Sequence, residues 1–148
     1  MLVLYSWNIA GLARHRDHLI NYLGKADIMC IQETWSAQPI PVKGFTTYAI
    51  PSTKRNLFGR QAGGLAIYIS HKSNLRVTPI KTNSEKLQAL RILNLSLGEK
   101  VITSILINCY IRGSTTEKKS IITELKDWIK ELQFTHPHDA LVILGDFN

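Results

Sequence analysis

The sequence is poor in cysteine and contains no long apolar segment. Among its 148 residues only Cys30 and Cys109 are cysteines, each within a short apolar run, and no Cys-x-x-Cys pair occurs. We therefore predict buried free thiols in a reducing compartment, with neither a disulfide framework nor a zinc site. No apolar run has membrane-spanning length, and the first residues lack the basic segment of a signal peptide. These absences predict an intracellular protein without a membrane partner.

Acidic residues are also missing from a long central stretch of the chain. None lies between Glu33 and Glu85, and the whole chain has a formal net charge of +7. A solvated surface explains any single basic residue there, but the stretch as a whole indicates loops that face an anion. The basic residues of this stretch are Lys43, Lys54, Arg55, Arg60, Lys72, Arg76 and Lys81.

The pattern of apolar residues predicts one α/β domain. Short apolar runs indicate strands, and helical periodicity is expected over about 13–23 and after Ser114, where Ser114 and Glu117 match a capping box. Strand–helix–strand units are predicted over 2–32 and 101–144, and an antiparallel hairpin over 87–110. On the predicted second helix, Trp128 belongs to the apolar face and is expected to pack in the core.

Polar side chains follow the apolar strands at the points where these end. Asn8, Glu33, Tyr110 and Asp146 each come directly after an apolar run, and Asn148 follows two residues later. The carboxyl ends of strands in α/β sheets border the ligand crevice, so we expect these groups to lie together. Carboxylate and amide oxygens without histidine or cysteine suit Mg²⁺ or Mn²⁺ better than zinc. Such a site can support phosphodiester cleavage.

Five segments in this order resemble the endonuclease/exonuclease/phosphatase family. They are SWNIAGL, CIQETW, GGLAIYIS, NCYIR and VILGDFN, and the resemblance covers the whole chain. It is greatest to the apurinic-type endonuclease domains of LINE-type retrotransposons. The resemblance implies part of a four-layer α/β sandwich of the DNase I-like type, with a mixed, largely antiparallel sheet and flanking helices. It also implies DNA as partner and substrate, hence a nuclear protein.

The resemblance also implies residue roles. Glu33 corresponds to the main metal ligand, with Asn8 beside it, and the metal is Mg²⁺ or Mn²⁺. Asp146 corresponds to the residue that activates water, Asn148 to the one that orients it, and Tyr110 to the tyrosine on the scissile phosphate. We assign DNA backbone contacts to four basic residues. These are Lys54, Arg55, Arg60 and Arg112, and Arg112 stands where the family usually has proline.

The resemblance ends before a further family motif. Members carry a later Ser-Asp-His-like sequence whose histidine stabilises the transition state, and none of His15, His18, His71, His136 and His138 has that context. We therefore expect residues 1–148 to be a truncated domain, inactive or very weak alone. Half of a sandwich is expected to leave an apolar patch and an open sheet edge, which a missing C-terminal half or a second copy would cover.

Two alternatives to a DNA endonuclease remain. A phosphatase acting on inositol phosphates or phospholipid head groups would use the same four residues, Asn8, Glu33, Asp146 and Asn148. A non-catalytic, transposon-derived fragment would bind nucleic acid through its basic residues alone. Competition between duplex DNA and inositol phosphates distinguishes the phosphatase from the DNA endonuclease. The reading frame beyond Asn148 distinguishes the non-catalytic fragment from the enzyme.

Overall fold

A computed structural model of the chain describes residues 1–54 and 56–148, and this part folds into ten strands and two α-helices. The strands are β1 (Leu4–Asn8), β2 (Ile28–Gln32), β3 (Phe45–Ile50), β4 (Thr53–Lys54), β5 (Gln61–Ala62), β6 (Leu65–Ser70), β7 (Val77–Ile80), β8 (Leu87–Leu97), β9 (Lys100–Tyr110) and β10 (Ala140–Asp146). The helices are α1 (Arg16–Leu23) and α2 (Thr115–Thr135), and His71–Ser73 form one 3-10 turn. Neither α-helix in this part of the chain is long and apolar enough to cross a membrane.

Two strand–helix–strand units set the direction of the strands that matter for the site. Strands β1 and β2 are parallel, with Asn8 opposite Gln32, and α1 joins them. Strands β9 and β10 are also parallel, with Asp146 opposite Tyr110, and α2 joins them. Both predicted units are confirmed. Because parallel neighbours end at the same edge of a sheet, the polar residues at their carboxyl ends lie close together.

The remaining pairs of strands are antiparallel and complete two four-stranded sheets. The first sheet has the order β1-β2-β6-β3, and the second has the order β10-β9-β8-β7. The predicted hairpin of β8 and β9 is confirmed, with Leu97 opposite Lys100 at its turn. Strands β4 and β5 form a separate small hairpin before β6.

The two sheets pack face to face between the two helices. Leu19 and Leu23 of α1 are buried against Met29 and Ile31 on the outer face of the first sheet. Ile121 and Leu125 of α2 pack in the same way against the outer face of the second sheet. Between the sheets lies a third cluster, which includes Cys30, Ile67, Leu90, Ile92 and Leu106. The fold is therefore a four-layer α/β sandwich, as predicted.

The layering corrects the expectation of an uncovered apolar sheet face. Each sheet has one face on a helix and the other on its partner sheet, because the apolar residues of the inner strands alternate between the two faces. Open edges are nevertheless present. Within residues 1–54 and 56–148, β1 pairs only with β2, and β10 pairs only with β9. These two edge strands lie next to each other across the sandwich.

The ends of the helices differ in how well the sequence predicts them. The capping box of α2 is confirmed, because Ser114 Oγ accepts from the Glu117 amide and a Glu117 carboxylate oxygen accepts from the Ser114 amide. Helix α1 begins at Arg16 instead of residue 13, after a turn whose last residue, His15, provides no side-chain cap. Ile122 of α2 is 38% exposed. Trp128 is half-buried and packs with that face, as predicted.

Candidate active site

The structure brings the four strand-end residues together at one edge of the sandwich. Asn8 and Asp146 end the two neighbouring edge strands, and Asn8 Nδ2 donates to Asp146 Oδ2 at 2.7 Å. Glu33 follows β2 directly, and one of its carboxylate oxygens accepts a hydrogen bond from the Tyr110 hydroxyl. The side chains thus form two hydrogen-bonded pairs, and Tyr110 of one pair lies opposite Asp146 of the other in the register of β9 and β10.

The backbone around Glu33 is held in an unusual conformation by the loop after β1. Glu33 has φ +55°, and Ala10 and Trp35 also have positive φ values of 47° and 51°. A left-handed backbone at such residues costs about 1–3 kcal/mol each and persists only where the surroundings impose it. Here the two loops are joined by bonds from the Gly11 amide to the Glu33 carbonyl and from the Leu12 amide to the Thr34 carbonyl, each 2.9 Å long. The turn directs the Glu33 carboxylate to the strand ends.

The Glu33 carboxylate is buried and paired with a cation of the chain. Only 7% of Glu33 is exposed. Arg112 Nη1 lies 3.0 Å from Glu33 Oε1 and 3.1 Å from Oε2, so both oxygens accept from the same guanidinium. Burial, and after it the hydrogen bond to Glu33, raise the pKa of Tyr110 to about 12. The tyrosine is therefore a protonated donor at neutral pH.

The Asp146 carboxylate is fixed by amides on both of its oxygens. One oxygen accepts from Asn8, and the other accepts from the Asn148 side chain and from the Asn148 backbone amide, the latter at 3.2 Å. Gly145 permits the strand to approach its neighbour, since a Cβ there would overlap the backbone carbonyl of Cys109. The glycine before Asp146 is thus required by the close backbone contact that positions the aspartate.

A buried amide cluster beneath the site was not predicted from the sequence. Asn108 is fully buried in β9; it accepts from Gln32 Nε2 at 2.7 Å and donates to Gln88 Oε1 at 3.3 Å. Its amide also donates to the carbonyls of Ile31 and Ala66 in the first sheet. The cluster joins the two sheets through hydrogen bonds. In the sequence, Gln32, Gln88 and Asn108 each stand directly beside the apolar residues of β2, β8 and β9.

The sequence analysis did not predict the contacts that two cationic side chains make near the site. Lys86 Nζ lies 4.7 Å from the centre of the Tyr110 ring, a cation–π contact that no motif indicated. Arg112 was predicted to reach a DNA phosphate, whereas the structure pairs it with Glu33. The ion pair joins residues 79 positions apart, which sequence spacing could not reveal.

The other predicted DNA-binding residues lie at the β4–β5 hairpin or outside the described residues. Lys54 and Arg60 are exposed at the β4–β5 hairpin. The chain around this hairpin is tied to the segment after Glu33, because the Ser52 amide donates to the Ser36 carbonyl and the Thr34 amide to the Gly64 carbonyl. Arg55 lies outside the described residues.

The histidines make contacts elsewhere in the fold. His15 packs near Trp7 and His18, His71 Nε2 is 3.1 Å from Thr46 Oγ1, and His136 Nδ1 is 3.9 Å from the Asp139 carboxylate. In residues 1–54 and 56–148, none of these contacts involves a strand-end residue.

The oxygen atoms at the strand ends suit a hard divalent cation. No group of three histidine, cysteine, aspartate or glutamate residues comes together among the described residues. Mg²⁺, however, commonly uses only one or two protein carboxylates and completes its coordination with water and phosphate oxygens. Glu33, Asp146 and the Asn8 amide supply such oxygens, and the two cysteines are too deeply buried to compete. Burial raises the pKa of Cys30 to about 12 and that of Cys109 to about 11.

Comparison with protein families matches residues 5–148 to the family described as Endonuclease/Exonuclease/phosphatase. This chain belongs to the endonuclease/exonuclease/phosphatase family. The match includes all five segments whose resemblance was noted in the sequence, together with every strand-end residue described above. No curated protein matches the chain significantly.

Solved structures of similar fold include several enzymes that act on DNA. The 3' phosphatase NExo from Neisseria bound to a product DNA hairpin superposes with a TM-score of 0.70 and 18% identity, covering 100% of this chain and 58% of that one. The catalytic domain of Xenopus laevis APE2 gives 0.64 and 23%, covering 99% and 58%. An AP endonuclease from Archaeoglobus fulgidus gives 0.62 and 20%, covering 99% and 57%. The chain thus spans a little over half the length of these neighbours.

Proposed function

We propose that this chain carries part of the active site of a metal-dependent nuclease that hydrolyses DNA phosphodiester bonds. The observation that supports this best is the group formed by Asn8, Glu33, Tyr110 and Asp146 at the carboxyl ends of four strands. Carboxylates beside a protonated hydroxyl donor are what phosphodiester hydrolysis requires: oxygens for a divalent ion, a proton acceptor for water, and a donor to the phosphate.

The roles follow from the contacts of each side chain. Glu33, with Asn8, would hold Mg²⁺ or Mn²⁺, and nucleases of this family generally depend on a divalent ion. When bound, that ion would neutralise charge on the phosphate. Asp146, held by Asn8 and Asn148, accepts the proton of the attacking water, and Asn148 orients that water. Tyr110 donates its hydrogen bond to a phosphate oxygen, because its raised pKa keeps the hydroxyl protonated.

DNA is the substrate that the charge distribution favours. The net charge of +7 and the acid-free stretch between Glu33 and Glu85 favour a polyanion. Lys54, Arg55 and Arg60 belong to this stretch and are proposed to contact the DNA backbone. The AP endonuclease and the DNA-bound phosphatase of the same fold are consistent with this substrate. From the motif resemblance we further propose a retrotransposon-type endonuclease that acts in the nucleus.

We expect the 148-residue chain alone to hydrolyse DNA very weakly or not at all. Its histidines contact other parts of the fold, so a donor to the transition state is missing from the described site. Loss of one such donor typically lowers the rate by about 10²–10³. A second polypeptide segment or a second copy of the chain is proposed to supply what is missing.

The proposed function is tested by binding competition and nicking. Labelled duplex DNA is titrated with the chain, and then displaced with unlabelled duplex or with inositol phosphates. We expect displacement by duplex and an affinity that falls steeply with salt. Displacement by inositol phosphates at lower concentrations than duplex would instead favour the phosphatase of the same fold.

Nicking of supercoiled plasmid is measured with excess protein in Mg²⁺ and in EDTA. We expect at most a slow, Mg²⁺-dependent reaction that Asp146→Asn abolishes. Fast turnover that disappears in Glu33→Ala would show that the prediction of weak activity is wrong. DNA binding with no nicking, even after addition of the missing family segment, would favour the non-catalytic alternative.

A further inference from the structure

The pairing of Arg112 with Glu33 places a permanent cation where the proposed function requires a metal ion. One guanidinium nitrogen of Arg112 contacts both carboxylate oxygens of Glu33, at 3.0 and 3.1 Å. The same nitrogen lies 3.4 Å from the Tyr110 hydroxyl oxygen. The guanidinium therefore balances the negative charge of the Glu33 carboxylate, and Glu33 as a whole residue is only 7% exposed.

A divalent ion bound at the Glu33 carboxylate would lie beside the Arg112 guanidinium and be repelled by it. Repulsion between two charges scales with their product, so a divalent ion next to the guanidinium is repelled twice as strongly as a monovalent one. The guanidinium also remains charged at all physiological pH values. Any metal ion bound by Glu33 must therefore displace Arg112 or lose a large part of its attraction to the carboxylate.

Arg112 is able to leave because its side chain is largely in solvent. Its side chain is 60% exposed, whereas that of Glu33 is 9% exposed. It also lies just beyond Tyr110, the residue proposed to contact the scissile phosphate. A phosphate oxygen pair matches the planar fork of arginine at least as well as a carboxylate does. DNA bound at the strand ends would thus give Arg112 a new anionic partner.

We propose that Arg112 is the counter-cation of Glu33 in the free protein and transfers to a DNA phosphate when substrate binds, which couples metal binding to DNA binding. This inference rests on the proposed function and adds a regulatory step to the same site. In the free protein the Arg112–Glu33 ion pair suppresses metal binding. With DNA present, the same residue no longer competes, so DNA and the metal ion raise each other's affinity, as thermodynamic linkage requires.

The experiment measures Mn²⁺ binding by calorimetry in the wild-type chain and in Arg112→Gln, without DNA. We expect the dissociation constant for Mn²⁺ to fall by about fivefold or more in Arg112→Gln, since the competing cation is gone. Arg76→Gln removes the same charge from an exposed position directly before β7, the strand at the far edge of the second sheet, and should bind Mn²⁺ as the wild type does. Equal affinities of Arg112→Gln and Arg76→Gln would overturn the proposal.

A second arm repeats the titrations with a short duplex whose phosphorothioate linkages resist hydrolysis. We expect DNA to lower the Mn²⁺ dissociation constant of the wild type by about the same factor, and to change that of Arg112→Gln little. No effect of DNA on the wild type would overturn the coupling. Arg112→Lys retains a cation and should bind Mn²⁺ about as weakly as the wild type, which separates loss of charge from loss of packing. Circular dichroism checks that every variant is folded.

Glu33→Gln distinguishes this inference from the function on which it rests. If Glu33→Gln binds Mn²⁺ as tightly as the wild type, the metal site is elsewhere, and both proposals fail. If Glu33→Gln abolishes binding while Arg112→Gln leaves it unchanged, the metal site stands and only the role of Arg112 is wrong.

Discussion

At the scale of single residues, the buried Asn108 amide determines how the two sheets are held together. In the first sheet it is hydrogen-bonded to the Gln32 side chain and to two backbone carbonyls, and in the second sheet to the Gln88 side chain. All of these hydrogen bonds lie in the buried interior. A buried donor or acceptor without a partner costs about 1–3 kcal/mol, and removal of Asn108 would leave several. This amide is therefore expected to stabilise one relative placement of the sheets.

We predict that Asn108→Ala lowers the free energy of unfolding by about 2–4 kcal/mol, because the Gln32 and Gln88 amides lose a buried partner. Urea denaturation followed by circular dichroism measures the change. Gln133→Ala, at an exposed position of α2, removes an amide of similar chemistry and should change the stability by less than about 0.5 kcal/mol. Equal effects of the two substitutions would show that the buried cluster contributes nothing specific.

The residues of the site differ in what the sequence could reveal about them. Asn8, Glu33, Tyr110 and Asp146 were found because each follows its own strand, which is a local pattern, and because their motifs resemble a known family. The Glu33–Arg112 pair was not found, since Arg112 has several possible anionic partners and only the folded chain selects one. Gln32, Gln88 and Asn108 were missed for the same reason.

At the scale of elements, an ion pair anchors the loop between α2 and β10. Arg91 Nε lies 2.6 Å from Asp139 Oδ2, and Arg91 Nη2 lies 3.2 Å from Oδ1. This hydrogen bonding is the main reason that the pKa of Asp139 is below its ordinary value. The loop leads directly into β10, the strand that ends in Asp146. Its attachment to β8 thus bears on the placement of the site.

We predict that Asp139→Asn lowers stability at neutral pH by about 1 kcal/mol, with the pair partly screened because Arg91 is partly exposed. A carboxyl whose pKa is lower in the folded state stabilises the fold above its unfolded pKa, near pH 4, and stops doing so as pH falls through its folded pKa. The difference in Tm between wild type and variant should therefore shrink below about pH 4. Asp127→Asn, in an exposed pair with Lys130 at 3.8 Å, should show neither effect. A Tm difference that persists at pH 2 would contradict the assignment to charge.

Helix ends show why some element boundaries are predictable. The α2 start depends on Ser114 and Glu117, three residues apart, so the sequence contains the whole interaction. The start of α1 has no side-chain cap and depends on how the preceding turn packs beneath β1 and β2, which local sequence does not specify. Gly24 caps the carboxyl end of α1 with a right-handed φ of −58°.

At the scale of the whole molecule, all four layers are present, but within residues 1–54 and 56–148 both sheets end in open edge strands. The alternation of apolar and polar residues along the strands predicts which faces of a sheet are apolar. Only the structure shows that each sheet covers one face of the other. The edges of β1 and β10 remain without a neighbouring strand in the described part of the chain. Residues 140–145 of β10 carry no charged side chain. Charged side chains are the usual protection of an edge strand against pairing with another chain, so β10 lacks it over these residues.

We predict that the 148-residue chain associates as its concentration rises, through these open edges. Sedimentation velocity should show an average mass that increases with concentration. Ala140→Lys places a charge at the exposed start of β10 and should weaken association, whereas Gln133→Lys adds the same charge on α2 and should not. A monomer at every concentration would show that the edges are protected in some other way.

The Asn8–Asp146 hydrogen bond has a consequence of its own, because these two residues belong to different sheets. Their spacing is not fixed by a ladder of backbone bonds and changes whenever one sheet slides over the other. A misplacement of about 1 Å can reduce the rate of an enzyme about 10²-fold. Damage to the buried amides that resist such sliding would therefore impair the proposed hydrolysis while leaving every group at the strand ends chemically intact.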